Sequence, residues 1–509
     1  MRPIGLSFTL LLACSSPGIA AWHEAKSKHF IIYADQRPEV LKAFATKLEK
    51  FDKAVRILRA SDDPPIGDAG RLTIYVLSDT EAVSKLAVGK DSSIAGFYLA
   101  RASGSVAFVP KKSGGGREWE IDADTIFFHE YAHHMMLQNA DDAIPAWLVE
   151  GFAEFFSTAQ FPKDGSVQLG TPANHRSYGL FALGKPSVEE LLGKSLNRRS
   201  DQQMDALYGL SWLLTHYLTF DPSRNGQLPK YLGAFGRGDD SLVAARATFG
   251  DLKQLDKDLD LYLRRNKFQY LQVAGSRLSV DGIEVRPLRP GEAAMAPVRM
   301  RSVRGVNNKT APKVAADARA AAAGFPGDPA VQTALAEAEF DVRNYAAAEA
   351  AADLALKADP AFAPAMIYKG KAKMEAAASK PDSADWKAIR SWFTKANRID
   401  PEDAEPLMLF YESYRASGER PTKNAIDGLH YALLLVPQDE RLRMMIVSQL
   451  MTDKRFAEAR QSLAPLAYSP HLSDGRELAR EIMDALGRDD PQAALAAMST
   501  AKSDADTPD

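Results

Sequence analysis

Apolar and polar positions follow two spacings along this chain, and the changes of spacing mark its elements. Phe30-Ile31-Ile32-Tyr33 and Leu72 to Leu77 are short runs of aliphatic and aromatic residues, which predict strands. Between them, Leu41, Phe44, Leu48, Phe51, Val55 and Leu58 fall three or four apart, the spacing of one helical face. Ser78 followed by Glu81 predicts a capping box for another helix. Gly96 to Leu99 and Ser105 to Val109 predict a hairpin, and the apolar run Ile126 to Leu137 predicts a helix capped by Asp124. From Ser187 to Arg265 the pattern is helical, including Leu207 to Phe220. The order strand, helix, strand, helix, hairpin, helix describes an α+β lobe whose edge strand lies beside the 126–137 helix.

Beyond this lobe the spacing changes. Residues 271–310 are rich in Pro, Gly and Arg with one strand candidate, Ile283 to Arg286, and read as a linker. From 311 to 488 the chain is Ala-rich and helical, punctuated at Asp328-Pro329, Asp359-Pro360, Asp400-Pro401, Val436-Pro437 and Ser469-Pro470. Those prolines stand 31 to 41 residues apart, and the polar stretch Ser379 to Asp385 can be looped out of the longest interval. Counting back from each proline places Ala336, Ala348 and Ala355, then Gly370, Phe393 and Ala396, then Ala425 and Ala432, where paired helices need small or aromatic packing residues. This segment resembles a degenerate tetratricopeptide array of three to four helix pairs, the alternative being a plain Ala-rich bundle. Residues 489–509 are short and polar and predict a frayed tail.

A chain of 509 residues needs two or three cores. Its net charge of −3 argues against a general nucleic-acid binder. The one cysteine is Cys14, so the body has no internal disulfide and no cysteine zinc site; a metal would rest on His and carboxylates. Residues 1–21 read as an export signal, with Arg2 before the apolar run Ile4 to Ala13. Small residues at Gly18-Ile19-Ala20-Ala21 suit ordinary cleavage before Trp22, whereas Leu11-Leu12-Ala13-Cys14 resembles a bacterial lipobox with Cys14 as the lipid anchor. Either exit implies a secreted or periplasmic protein, or an outer-membrane lipoprotein. No later segment is long and apolar enough to span a membrane. Lys111 to Arg117 is basic and Gly-rich but lacks phosphate-loop order, so it reads as a flexible loop or flap.

The chemistry concentrates at His129-Glu130-Tyr131-Ala132-His133, an H-E-x-x-H sequence. Histidines four apart share one helical face and can address one ion, with Glu130 beside them to reach a bound water. Zinc catalysis needs a third protein ligand. The longer metzincin motif would place Gly at 136 and His at 139; those residues are Met136 and Asn139. The gluzincin completion takes a Glu from the next helix, and Pro145-Ala146-Trp147-Leu148-Val149-Glu150-Gly151-Phe152-Ala153-Glu154 supplies Glu150. Glu154, one turn later, is placed to accept the N–H of a ligating imidazole.

With W-L-x-E-G-x-A-E after H-E-x-x-H, residues 28 to 265 resemble the thermolysin-like gluzincin clan, most of all the bacterial peptidase-MA-like families. The specific match is confined to Phe127 to Phe156. The resemblance implies a zincin-like metallopeptidase domain over 22–270, zinc on His129, His133 and Glu150, Glu130 as general base, and Glu154 behind the ligands. The exopeptidase motif that anchors a substrate N-terminus is not found, which leaves an endopeptidase. Related enzymes add a Tyr or His donor for the oxyanion; Tyr208 and His216 are the candidates, with Tyr208 favoured as a neutral phenol. His134 points away from the ligand face. The expected activity is peptide-bond hydrolysis by metal-activated water, with the repeats binding a protein partner or substrate. The alternative is a non-catalytic envelope scaffold that works through its repeats and carries a vestigial zincin domain.

Overall fold

The short apolar runs of the first half meet in one sheet. The computed structural model describes residues 22–87, 95–112, 122–137, 143–181, 184–193, 200–265, 267–468 and 474–505. Residues 1–21, with Cys14, and residues 113–117 of the basic Gly-rich segment lie outside the described residues. In chain order the strands are β1 (Trp22–Lys26), β2 (Phe30–Asp35), β3 (Leu72–Leu77), β4 (Phe97–Leu99), β5 (Val106–Pro110), β6 (Val167–Leu169), β7 (Leu271–Val273) and β8 (Glu284–Pro287). Six of them form a sheet in the order β4-β5-β3-β2-β1-β8, and β6 pairs with β7. β2, β3 and β5 run parallel, while β4, β1 and β8 join antiparallel.

The helices of this lobe are α1 (Pro38–Arg59), α2 (Thr80–Ala87), α3 (Ala123–Leu137), α4 (Ala146–Ser157), α5 (Ser177–Phe181), α6 (Val188–Gly193), α7 (Asp201–Phe220), α8 (Gln227–Gly236), α9 (Ser241–Phe249), α10 (Leu252–Leu263) and α11 (Pro290–Arg304). Strand alternation decides what covers each sheet face. Phe30, Ile32, Ile74, Val76, Ala107 and Val109 join the core that holds α1, α3, α4 and α7. On the other face, Tyr33, Tyr75, Phe108 and Phe97 stack in sequence at centroid distances of 5.2, 5.5 and 4.7 Å, against Met300 and Val303 of α11.

Four expectations are corrected. The 271–310 segment is built into the body, because β7, β8 and α11 pair or pack with elements far away in sequence. Asp79 caps α2 in place of Ser78, accepting from the Ala82 N–H at 2.8 Å. Asp122 caps α3 in place of Asp124, accepting from the Thr125 N–H at 2.7 Å, while Asp124 pairs with Lys47 at 2.5 Å. The expected tail carries a helix, Pro491–Ala505, because Ala494 and Ala497 are buried against the preceding helix.

The second half is a stack of helix pairs: α12 (Ala311–Ala322), α13 (Pro329–Asp341), α14 (Tyr345–Ala358), α15 (Ala363–Ala378), α16 (Trp386–Ile399), α17 (Ala404–Ala416), α18 (Lys423–Leu435), α19 (Glu440–Thr452), α20 (Phe456–Ala467), α21 (Asp474–Gly487) and α22 (Pro491–Ala505). Each of these helices packs on the next, as tetratricopeptide-like repeats do. Ala336, Ala348, Ala355, Phe393, Ala396, Ala425 and Ala432 are buried, so the small-residue register holds. A Cβ on Gly370 would stand 2.5 Å from the Phe393 ring, which makes that glycine a close-approach site. No described helix is long and apolar enough to cross a membrane.

A buried ionic network ties the back of α3 to α1. The Tyr131 hydroxyl donates to Asp52 at 2.8 Å, and Arg56 Nε holds the same carboxylate at 2.8 Å. His29 donates through Nδ1 to Glu49 at 2.7 Å and through Nε2 to Asp63 at 2.9 Å. Burial alone would depress the His29 pKa, but the bond to Glu49 and the charges of Asp52 and Glu49 raise it above the ordinary imidazole value. Glu49 and Asp63 are lowered, chiefly by His29 and Lys28 against burial. The His29 contribution is therefore complete below about pH 6.5 and lost as pH rises through the folded value, whereas the carboxylate contributions are lost on acidification. Chemical denaturation across pH should show the stability gap between wild type and His29→Gln widest at about pH 5 to 6.5 and narrowing toward alkaline pH.

Candidate metal centre

Two helices place the motif residues. α3 is apolar nearly all round because both its flanks are buried, with Phe127, Phe128, Tyr131, Ala132 and Met135 in the core. α4 follows Pro145, which fixes an extended entry before the first helical residue. α4 packs on both α3 and α7, and its fit to α7 depends on Gly151. A Cβ there would stand 2.3 Å from Thr215 Oγ1 and 2.6 Å from the Ser211 carbonyl oxygen. Gly151 thus lets α4 and α7 approach closely, with Glu150 turned toward α3 and Tyr208 of α7 beside it.

The approach brings His129, His133 and Glu150 together. His129 Nε2 and His133 Nε2 are 3.1 Å apart, and they lie 3.5 and 3.6 Å from Glu150 Oε2. Ligands at about 2.0 to 2.2 Å from a tetrahedral zinc ion stand about 3.4 Å from one another. The donor triangle therefore has the size and the N, N, O chemistry of a zinc site with one position left for water. Burial opposes charge on His129, yet hydrogen bonds to Glu150 and Glu154 carry its pKa up to about 10. Two buried carboxylates here call for positive charge, which a metal ion would also supply.

Glu154 lies on the far side of His129 from the donor triangle. Its carboxylate faces His129 Nδ1 at 3.2 Å, which fixes Nε2 as the atom turned to the site. The same carboxylate accepts from His175 Nε2 at 2.9 Å and from Arg176 at 2.6 and 3.1 Å, and Arg176 continues to Asp205 at 2.8 Å. Although burial resists ionisation, Arg176 with the bonds to His129 and His175 holds Glu154 well below the usual carboxylate range. His175 and Arg176 were not found from the sequence, since no fixed spacing links a loop residue to a carboxylate two elements earlier.

Glu130 follows His129 on α3, near enough to it and to Glu150 for both to act on its carboxyl. Burial pushes its pKa up to about 7, with His129 pulling down and Glu150 pushing up. The edge strand passes close by: a Cβ on Gly96 would stand 2.4 Å from Ile126 Cγ2 and 3.9 Å from Glu130 Cγ.

Of the two oxyanion-donor candidates, only Tyr208 is at the site, its ring 6.1 Å from that of His129 and its centroid 5.1 Å from the Arg176 guanidinium. Burial and the Glu150 charge raise its pKa, so the phenol stays protonated. His216 is committed elsewhere. Its Nε2 donates to the Gln269 carbonyl at 3.0 Å and its Nδ1 accepts from Tyr262 at 2.8 Å. His134 is buried and its Nδ1 hydrogen-bonds the Tyr98 hydroxyl at 2.8 Å.

A second trio, His29, Asp52 and Asp63, also brings donor atoms together. Arg56 and Lys28 already neutralise those carboxylates at 2.8 and 2.5 Å, so that group is an ionic network rather than a cation site. Replacing Gly151 by Ala should overpack the α4–α7 contact and lower stability by about 1 to 3 kcal/mol in denaturant titration.

No protein-family model matches the chain, and no curated protein matches it. Among solved structures, one described as the functional characterization of Pseudomonas aeruginosa pilF aligns with 41% of this chain and 90% of its own, at 14% identity and TM-score 0.32. A thermophilic TPR protein from Thermus thermophilus aligns with 37% of this chain and 97% of its own, at 19% identity and TM-score 0.33.

Proposed function

We propose that this chain is an exported zinc-dependent peptidase of gluzincin type, an endopeptidase, with a helical array that binds protein. The observation that carries the reading is the donor triangle of His129, His133 and Glu150, which has the spacing of a zinc site and stands beside Glu130. Export rests on the reading of residues 1–21 alone.

In this reading His129, His133 and Glu150 hold the ion. Bound zinc supplies Lewis-acid polarisation of the scissile carbonyl and an acidified water. Glu130 takes the proton of the attacking water and returns it to the leaving amine. Tyr208, kept neutral, donates to the carbonyl oxygen as charge develops. Glu154 keeps His129 in one tautomer, and Arg176 keeps Glu154 ionised. The open side of β4 pairs with extended substrate by strand addition.

A second reading treats the chain as a binding scaffold with an inactive lobe. It is favoured by the extent of the helical array, which runs from α12 to α22. The two readings separate in one experiment. Glu130→Gln should lower peptide hydrolysis by at least about 100-fold while zinc stoichiometry stays unchanged, and a chelator should abolish wild-type activity. A zinc-replete wild type that cleaves nothing in a peptide library supports the scaffold. Tyr208→Phe should lower kcat by about 100-fold or more with zinc still bound.

A further inference from the structure

β4 is three residues long and, among the described residues, is paired only through β5, so within the sheet alone it is weakly fixed. The array supplies what the sheet does not. The turn after β4 enters the array: Ala102 is buried with residues of the array's core, and its N–H donates to Asp439 Oδ2 at 2.6 Å. The other oxygen of that carboxylate caps α19, accepting from the Leu442 N–H at 2.8 Å. Arg101 donates to the carbonyls of Val303 and Arg304 at 2.6 and 2.9 Å, fixing the turn to the end of α11 as well.

In the middle of the strand, Tyr98 joins the two halves of the molecule. Gln438 Nε2, in the loop before α19, donates to the Tyr98 hydroxyl at 3.1 Å. That hydroxyl is also bonded to His134 of α3 at 2.8 Å and to Ser105 beside β5 at 3.1 Å. A continuous set of contacts thus runs from the array through β4 to the helix that carries His129, Glu130 and His133. A cleft of about 600 Å³ opens beside it, lined by Tyr98, Ala102, Lys371, Glu405, Gln438 and Arg441.

We propose that the array sets the edge strand against α3, with Gln438 and Asp439 as positioning residues that act through Tyr98 and Ala102. This rests on the peptidase reading, in which β4 receives extended substrate. The lobe's own turn is then part of the array's core.

The test uses the full chain and the variants Gln438→Ala, Tyr98→Phe and the double variant. Hydrogen exchange should quicken about tenfold or more at 97–102 in Gln438→Ala, with zinc stoichiometry unchanged. For a fluorogenic peptide of about eight residues, kcat/KM should fall about tenfold, while a short amide substrate that cannot pair with β4 is unaffected. Because Gln438 acts through Tyr98, its replacement should have little further effect in the Tyr98→Phe background. Unchanged exchange at 97–102, or an effect of Gln438→Ala undiminished in that background, overturns the proposal. Exchange needs no turnover, so a quickened β4 in a zinc-replete chain without peptidase activity overturns the peptidase reading and leaves the positioning role standing.

Discussion

Two carboxylates one helical turn apart, Glu150 and Glu154, are buried almost completely in α4, and much of the lobe is arranged to balance them. An ionised carboxylate inside a protein is costly unless positive groups and hydrogen-bond donors surround it. Glu154 receives Arg176, His175 and His129. Glu150 receives the other face of His129 and His133, and this is where a zinc ion fits. The histidines are in turn held by α3, whose far side is tied to α1 through Tyr131 and Asp52. Removing the close α4–α7 contact at Gly151 would undo the arrangement from the opposite side.

Much of this was legible in the chain because it is written in local spacing. Histidines four apart, a Glu early in the next helix and another Glu one turn later are helical relations, and the structure places all four side chains together. The repeat register was legible for the same reason, since Ala348, Ala355, Phe393 and Ala432 occupy recurring positions in successive helices. What was missed depends on contacts that spacing does not encode. β8 reads as part of a linker until β1, at the far end of the lobe's sequence, is seen to pair with it. Asp122 and Asp124 are two residues apart and equally good caps by type, so only the chain's path toward Lys47 separates them. The helix at 491–505 looks like a tail because its buried apolar residues are alanines, which suffice against a close neighbour.

The two halves are joined through particular residues rather than set side by side. Asp439 serves an array helix and the lobe's turn with its two oxygens, and Gly67 of the lobe donates its N–H to Glu402 of the array at 2.9 Å. Arg299 of α11 lies near the tyrosines of the sheet and Glu337 of the array; burial works against its charge, and the Glu337 carboxylate supports it. Such contacts make the array part of the lobe's frame, which a freely tethered binding module would not be.

The proposed function requires that His129, His133 and Glu150 bind one zinc ion. Zinc titration of the purified chain, with X-ray absorption at the zinc edge, tests it most directly. The account predicts one ion per chain, with two imidazole nitrogens and one carboxylate oxygen at about 2.0 to 2.2 Å and no sulfur neighbour, and loss of that ion in Glu150→Ala. Zinc bound no more tightly by the wild type than by Glu150→Ala would contradict it.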